Sequence, residues 1–224
     1  MIFSHRLKLT ILVGYIMKNA LYLLITILLL TTGCNRPTPT TLCNELLRAE
    51  ELMYPAPDSA LHILQGMTLP ADKLNRATWA LFLTQAKYKC FVDQSDSLVN
   101  VAYDYFMKGE DAQRKALALY LKGGLLDERN QVDKALPYFL QASEEITLTK
   151  DYLLAYLIYS QTGRLYLYRK LYEYSTLYFE KANQYVLLTS EPSYIVDSYN
   201  NLARNAISQQ KQQLAIEYYD KAIR

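Results

Sequence analysis

Residues 119–142 read LYLKGGLLDERNQVDKALPYFLQA, and the same pattern returns at residues 159–182 (YSQTGRLYLYRKLYEYSTLYFEKA) and 199–222 (YNNLARNAISQQKQQLAIEYYDKA). Each segment begins 40 residues after the previous one. Three columns recur at this interval: a residue that is small in three of four units, a large apolar residue and an alanine. They are Leu83, Gly123, Gly163 and Ala203; Val99, Phe139, Phe179 and Tyr219; and Ala102, Ala142, Ala182 and Ala222. A pattern that returns at one such interval predicts a stack of equivalent structural units.

The composition favours helices over strands. The chain has 224 residues, of which 51% are hydrophobic and 21% charged, as expected of a folded protein with a substantial core. Glycine and proline are scarce, at seven residues each, and the apolar residues do not alternate as they do in strands. Caps and apolar periodicity place five helical pairs, at about 41–54 and 58–67, 74–91 and 96–108, 112–128 and 132–147, 151–169 and 172–187, and 193–208 and 211–224.

The recurring columns have a physical role in such a stack. Gly123, Gly163 and Ala203 allow the two helices of a pair to approach closely, while Phe139, Phe179 and Tyr219 fill the space beside them. The 21 tyrosines are expected to serve mainly the packing between helices, with a minority exposed.

The same positions resemble the tetratricopeptide repeat (TPR), in which a helical pair carries a small residue in its first helix and alanine, aromatic and alanine residues in its second. The third unit has Gly123, Ala135, Phe139 and Ala142, and the fifth has Ala203, Ala215, Tyr219 and Ala222. The interval of 40 residues is longer than the family's usual interval of about 34. The resemblance implies an all-α fold of antiparallel helical hairpins, stacked as a right-handed TPR-like solenoid of about five pairs. It also implies binding of a protein or peptide partner rather than catalysis.

The start of the chain has the features of an export signal. Lys18 precedes an apolar stretch over residues 20–33, which is short for a membrane span. The sequence Leu30-Thr31-Thr32-Gly33-Cys34 resembles a bacterial lipoprotein cleavage box, with Thr31 where the family usually has leucine. The resemblance implies lipidation of Cys34, and the alternative is an uncleaved signal anchor with a free Cys34.

These features divide the chain into three parts. We expect a signal segment at residues 1–33, with Met17 favoured as the true start, a lipidated tether at 34–41 and a TPR-like domain at 42–224. The stretches Arg76–Leu81 and Ser95–Leu98 also resemble exported Bacteroidota-type TPR lipoproteins. This resemblance implies a membrane-anchored lipoprotein of the cell envelope that faces the periplasm.

Charge and motifs argue against several other functions. Residues 1–33 contain Arg6, Lys8 and Lys18 and no acidic residue, so the mature part has 21 basic and 22 acidic residues. It has no stripe of Lys and Arg, which excludes a typical nucleic-acid surface. His62 stands alone, and the sequence contains neither a metal-ligand cluster nor a glycine-rich phosphate loop. We therefore expect no enzyme activity, no metal and no cofactor, and we expect Cys43 and Cys90 to remain two separate thiols.

A binding site is expected where the first helices of the pairs share a face. Gly124, Arg164 and Arg204 form one row at 40-residue intervals. We expect the two arginines to bind a carboxylate or the backbone carbonyls of a peptide, because guanidinium groups suit planar acceptors. The alternative is that both are solvated or paired within the stack. The predicted groove consists of Tyr120, Asp127, Ser160, Gln161, Arg164, Tyr168, Asn200 and Arg204.

Two further functional hypotheses remain open on the sequence. The chain could be the N-terminal sensor region of a larger TPR signalling or transcriptional regulator, or an outer-membrane assembly lipoprotein. The last helix reaches Arg224 soon after Ala222, without the polar capping helix that normally finishes a repeat array. We therefore expect this end to be covered by more chain, by a partner or by self-association.

Overall fold

The computed structural model describes residues 41–223 of the chain. The expected signal segment, Cys34 and nearly all of the tether lie outside the described residues, as does Arg224.

Residues 41–223 form ten α-helices and no β-strand, which confirms the all-α fold class. One 3₁₀ turn, Ile146–Leu148, extends the sixth helix. The helices are α1 Asn44–Leu52, α2 Pro57–Gly66, α3 Lys73–Lys89, α4 Ser97–Phe106, α5 Ala112–Glu128, α6 Val132–Glu145, α7 Tyr152–Tyr168, α8 Tyr172–Val186, α9 Pro192–Ser208 and α10 Gln212–Ile223.

The helices pack as five hairpins in chain order. Each odd-numbered helix makes its main contact with the even-numbered helix that follows it. Only three residues connect the two helices in the third, fourth and fifth hairpins, so the helices of each pair must run antiparallel. Each hairpin then packs against the next, and the first helices of neighbouring hairpins also touch in most cases. This arrangement is the predicted TPR-like stack of helical pairs.

The first helices of the second, third and fourth hairpins begin in the same way. The carboxylates of Asp72, Asp111 and Asp151 each accept a hydrogen bond from the backbone N–H three residues later, at 2.8, 3.0 and 2.9 Å. An aspartate at this position satisfies one of the N–H groups that a helix start leaves without a partner. These caps fix where α3, α5 and α7 begin.

The first helices of four hairpins also end in a common way. Phe91, Asn130, Lys170 and Gln210 all adopt the left-handed backbone conformation, with φ between 55° and 61°. In each case the N–H of the following residue donates to the carbonyl five residues before it, at 2.9 Å. This hydrogen bond is the Schellman ending, in which glycine is the usual left-handed residue. Because none of the four residues is glycine, this ending gives little signal in the sequence.

Close approach within each hairpin depends on the predicted small residues. A Cβ atom on Gly123 would lie 3.1 Å from the Phe139 ring, and one on Gly163 would lie 2.8 Å from the Phe179 ring. Both phenylalanines are buried, with at most 2% of their surface exposed. The small and aromatic columns therefore form one contact between the two helices of the third and fourth hairpins. In the fifth hairpin Tyr219 is 37% exposed and fills the equivalent space only in part.

Gly124 likewise lies against the ring of Tyr88 in α3, so Gly123 and Gly124 both serve packing.

Tyrosines pack in series between α7 and α8. Neighbouring ring centroids along this tyrosine ladder are 5.3 to 6.4 Å apart, within the range of favourable aromatic pairs. The hydroxyl of Tyr159 also donates to the carbonyl of Ser143 at 3.1 Å, which links the fourth hairpin to the third. In order of contact the rings are Tyr152, Tyr185, Tyr159, Tyr178, Tyr166 and Tyr174.

Replacing Gly163 with alanine is expected to destabilise the protein. The new methyl group would have to displace the buried Phe179 ring, at a cost of about 1–3 kcal/mol, whereas alanine ordinarily stabilises a helix relative to glycine. Gly66→Ala is the matched control, because no atom lies within 4 Å of the Cβ position at the end of α2. Urea unfolding monitored by circular dichroism measures both changes. Equal stabilities of the two variants would contradict the close approach at Gly163.

Candidate functional site

Two neighbouring depressions lie on the surface formed by the first helices α3, α5, α7 and α9 and by Tyr54 after α1, and we call this surface the first-helix face. The first depression, the aromatic pocket, has a volume of about 260 Å³. The second, the polar pocket, has a volume of about 320 Å³. The two pockets share Tyr120 and Leu157 as walls, so they are contiguous.

All eight residues of the predicted groove come together at or beside the polar pocket. Asp127 and Tyr168, which do not line it, both contact Arg164, which does. The polar pocket also contains Tyr156, Tyr194, Asp197 and Asn201, which the sequence analysis did not single out. The predicted residues that line it are Tyr120, Ser160, Gln161, Arg164, Asn200 and Arg204.

Arg164 is already engaged within the stack. Its guanidinium forms an ion pair with Asp127 of α5, and its Nε donates to Oε1 of Gln161 at 3.1 Å. The guanidinium also lies 5.3 Å from the centre of the Tyr168 ring. The ion pair with Asp127 favours the alternative that Arg164 is paired within the stack, while binding of a ligand carboxylate by Arg164 stays a prediction. The ion pair of Arg164 with Asp127 joins α7 to α5.

Arg204 differs from Arg164 in its surroundings. It is exposed, and its side chain forms no hydrogen bond or ion pair with any residue in the part of the chain that the structure describes. Asn200 and Asn201 line the same pocket one turn earlier in α9, and Asp197 lies at its edge. Arg204 is thus a guanidinium available to an acceptor that enters the polar pocket.

Tyrosines form much of the walls of both pockets and stay neutral. Burial, reinforced by the carboxylates of Glu128 and Asp127, raises the pKa of Tyr88 to about 12. Burial likewise raises the pKa of Tyr156 to about 12. Tyr88 meets Tyr120 edge to face, with ring centroids 6.1 Å apart. At neutral pH these rings therefore offer apolar faces and hydroxyl donors rather than negative charge.

The aromatic pocket was missed by the sequence analysis. Its apolar walls come from Tyr54, Tyr88, Phe91 and three leucines, with Lys89 and Glu128 at the edge. The second unit departs from the repeat pattern, so the repeat columns did not point to the pocket residues in this unit. A signal was nevertheless present, because Tyr88 lies 80 residues before Tyr168, in the same column of the 40-residue repeat.

Phe91 has an unusual position at the rim of the aromatic pocket. It is the left-handed residue that ends α3, and 93% of its surface is exposed. A bulky aromatic residue rarely adopts this backbone conformation. The side chain therefore stands at the pocket entrance without being buried by the fold.

Residues 41–223 also bear on other kinds of site. This range contains no group of three or more His, Cys, Asp or Glu residues placed to hold a metal ion. His62 is exposed, and Cys43 and Cys90 are free thiols. None of the helices in this range is long and apolar enough to cross a membrane.

Solved structures share the fold of this chain at low sequence identity. BtubC (BKLC) from P. vanneervenii matches with a TM-score of 0.60 and 15% identity, covering 80% of this chain and 72% of that one. The apo form of RapI matches with a TM-score of 0.63 and 16% identity, over 80% and 67% of the two chains. Nearly identical TPR-like repeats of a kinesin-light-chain-type protein from Podosopora anserina match with a TM-score of 0.55 and 14% identity, over 80% and 91%.

These likenesses, together with the helical pairs, show that this is an all-α protein with a TPR-like fold. No protein-family model matches the sequence, and no curated protein matches it.

The two arginines are expected to differ in their effect on stability. Arg164→Ala should lower the free energy of unfolding by about 1–3 kcal/mol, because it leaves a poorly solvated carboxylate without its partner. The Asp127 side chain is only 11% exposed. Arg204→Ala, the matched control on the same face, should change stability by less than about 0.5 kcal/mol. Denaturant unfolding compares them, and an equal loss in both variants would show that Arg204 is also held by the fold.

Proposed function

We propose that this protein is an exported, lipid-anchored scaffold that binds an extended segment of a partner protein in the cell envelope through its first-helix face. The observation that supports this proposal is the contiguity of the two pockets, which offer different chemistry and share Tyr120 and Leu157. A folded partner surface would not enter both depressions as easily as one extended strand of chain. The TPR-like fold supports a binding role in general terms.

The aromatic pocket suits one large apolar side chain of the partner. Its volume of about 260 Å³ lies just below the range of sites for whole small molecules. Tyr54, Tyr88 and Tyr120 present their rings to it, and such rings contribute much of the energy at protein interfaces. This pocket would anchor the segment.

The polar pocket suits the backbone and a carboxylate of the same segment. Asn200 and Asn201 carry amides that can donate to and accept from an extended backbone. Arg204 supplies a cation for a side-chain carboxylate or a free C-terminus. Arg164, held by Asp127, would shape the wall of the pocket rather than take the ligand charge.

The same chemistry favours binding over catalysis. The pocket walls offer aromatic surface, amides, the available guanidinium of Arg204 and three further charged side chains, Lys89, Glu128 and Asp197. Catalysis would require a nucleophile or an acid–base group held beside a partner that activates it, and neither pocket contains a histidine or a cysteine. We therefore propose that the protein is not an enzyme and uses no cofactor.

The proposed export and lipid anchor rest on the sequence before the described residues. The apolar stretch at 20–33 and the box that ends in Cys34 support them. The polar, proline-bearing residues 35–41 would separate the helical array from the membrane. A periplasmic partner, or a second protein of the same membrane, would then be within reach of the first-helix face.

Binding by the first-helix face can be tested with peptides selected from a random library against the purified helical domain. We expect the selected peptides to combine a large apolar residue with a nearby carboxylate. Arg204→Gln should weaken their binding by about tenfold, measured by fluorescence anisotropy. Lys150→Gln, an exposed charge outside both pockets, is the control and should leave the affinity unchanged. Selected peptides that ignore Arg204→Gln would contradict the proposed mode of binding.

The anchor can be tested on the protein expressed from its native locus. We expect the membrane-extracted protein to have the mass of residues 34–224 plus lipid, and Cys34→Ala to abolish both the lipid and the membrane association. A much larger mass would instead favour the sensor region of a longer regulator. A processed but unlipidated protein would contradict the anchor while leaving the peptide-binding proposal intact.

A further inference from the structure

A third depression lies away from the two pockets of the first-helix face and shares no residue with them. It has a volume of about 640 Å³ and is formed by the start of α3 and the end of α4. Its lining includes three cations, Lys73, Arg76 and Lys108, and two apolar side chains, Val101 and Tyr105. We call it the basic depression.

The cations of the basic depression lack internal ion-pair partners. Among residues 41–223, neither Lys73, Arg76 nor Lys108 forms a salt bridge, and Arg76 uses its Nε to donate to the carbonyl of Pro70 at 2.9 Å. Asp104 is the one acidic residue in the lining. The nearby carboxylate of Asp72 is engaged by Asn75 as the cap of α3. The depression therefore carries surplus positive charge.

The start of α5 also carries cations, but there they form ion pairs with carboxylates. Arg114 pairs there with Asp111 at 2.8 Å and with Glu50 at 3.4 Å, and Lys115 lies 3.9 Å from Glu145. Cations in the first turn of a helix are unfavourable, because that end of the helix dipole is positive. The fold neutralises them at α5 and leaves them free at α3, where an external anion would be stabilised.

One apolar side chain of the depression, Val101, is also exceptional within the repeat. Val101 is 45% exposed and Tyr105 is 36% exposed. The residues that lie 40 and 80 positions after Val101 are Gln141 and Lys181, which are both polar and exposed. The position of Val101 is thus occupied by polar residues in the next two hairpins and by an apolar residue only beside the unpaired cations.

We propose that the basic depression is a second protein-interaction surface, which binds an acidic amphipathic segment of a partner. Carboxylates of the segment contact Lys73, Arg76 and Lys108, and one apolar side chain contacts Val101 and Tyr105. Val101 and Tyr105 line a concave site together with the cations, so a projecting side chain fits it better than a flat bilayer does. This surface is independent of the proposed function of the first-helix face.

The probe for this proposal is a short fluorescein-labelled peptide in which glutamates alternate with leucine and phenylalanine. Two matched probes replace either the glutamates with glutamine or the apolar residues with serine. We expect the helical domain to bind the first probe, to bind both matched probes at least about tenfold more weakly, and to lose affinity as salt is added. Equal binding of the glutamine probe would overturn the proposal.

Variants of the protein then locate the site. The triple variant Lys73→Gln, Arg76→Gln and Lys108→Gln should weaken binding of the acidic probe by about tenfold. Val101→Gln should also weaken it severalfold while the domain stays folded, because glutamine occupies the equivalent position 141. This single variant keeps the test decisive if the triple variant is unstable.

A matched charge control separates the site from the general charge of the protein. Lys134, Lys150 and Lys211 are exposed and lie outside the depression, and their triple replacement by glutamine removes the same charge. Binding should survive in this control, and an equal loss there would overturn the proposal. Binding to phosphatidylglycerol vesicles without binding to the peptide would also overturn it and would identify the depression as a membrane contact.

Discussion

The contact between a glycine and a buried aromatic ring sets the geometry of the third and fourth hairpins. Gly123 meets Phe139, and Gly163 meets Phe179, so closely that an added Cβ atom would lie 3.1 and 2.8 Å from the two rings. These contacts fix how closely the paired helices approach, and therefore which residues of the first helix point away from its partner. The pockets of the first-helix face exist because this orientation is repeated every 40 residues.

The sequence was sufficient to predict the helical pairs because buried positions repeat with the units. The predicted bounds of α5, 112–128, match the structure, and most other helix ends agree within two residues. The left-handed endings at Phe91, Asn130, Lys170 and Gln210 were not predicted, since none of these residues is the glycine that usually signals such an ending. The local sequence therefore predicted the positions of the helices better than the backbone conformation of the residues that end them.

The site was predicted in part. Equivalent positions on successive first helices share one face, which is why the eight predicted groove residues converge. The ion pair between Arg164 and Asp127 depends on how α5 and α7 are aligned along their lengths. Residues that recur at one position of each repeat do not reveal this alignment. The aromatic pocket was missed because Tyr54 and Tyr88 belong to units in which the pattern is weak.

The tyrosine ladder has a consequence for how the array opens. A stack in which each unit touches only its neighbours distributes its stability unevenly, according to the strength of each local contact. The contacts among six tyrosine rings strengthen the packing between α7 and α8. Helix α7 also supplies much of the polar pocket. The packing of α7 against α8 thereby holds this wall of the polar pocket in place. Phe91, in contrast, stands free of packing at the entrance of the aromatic pocket.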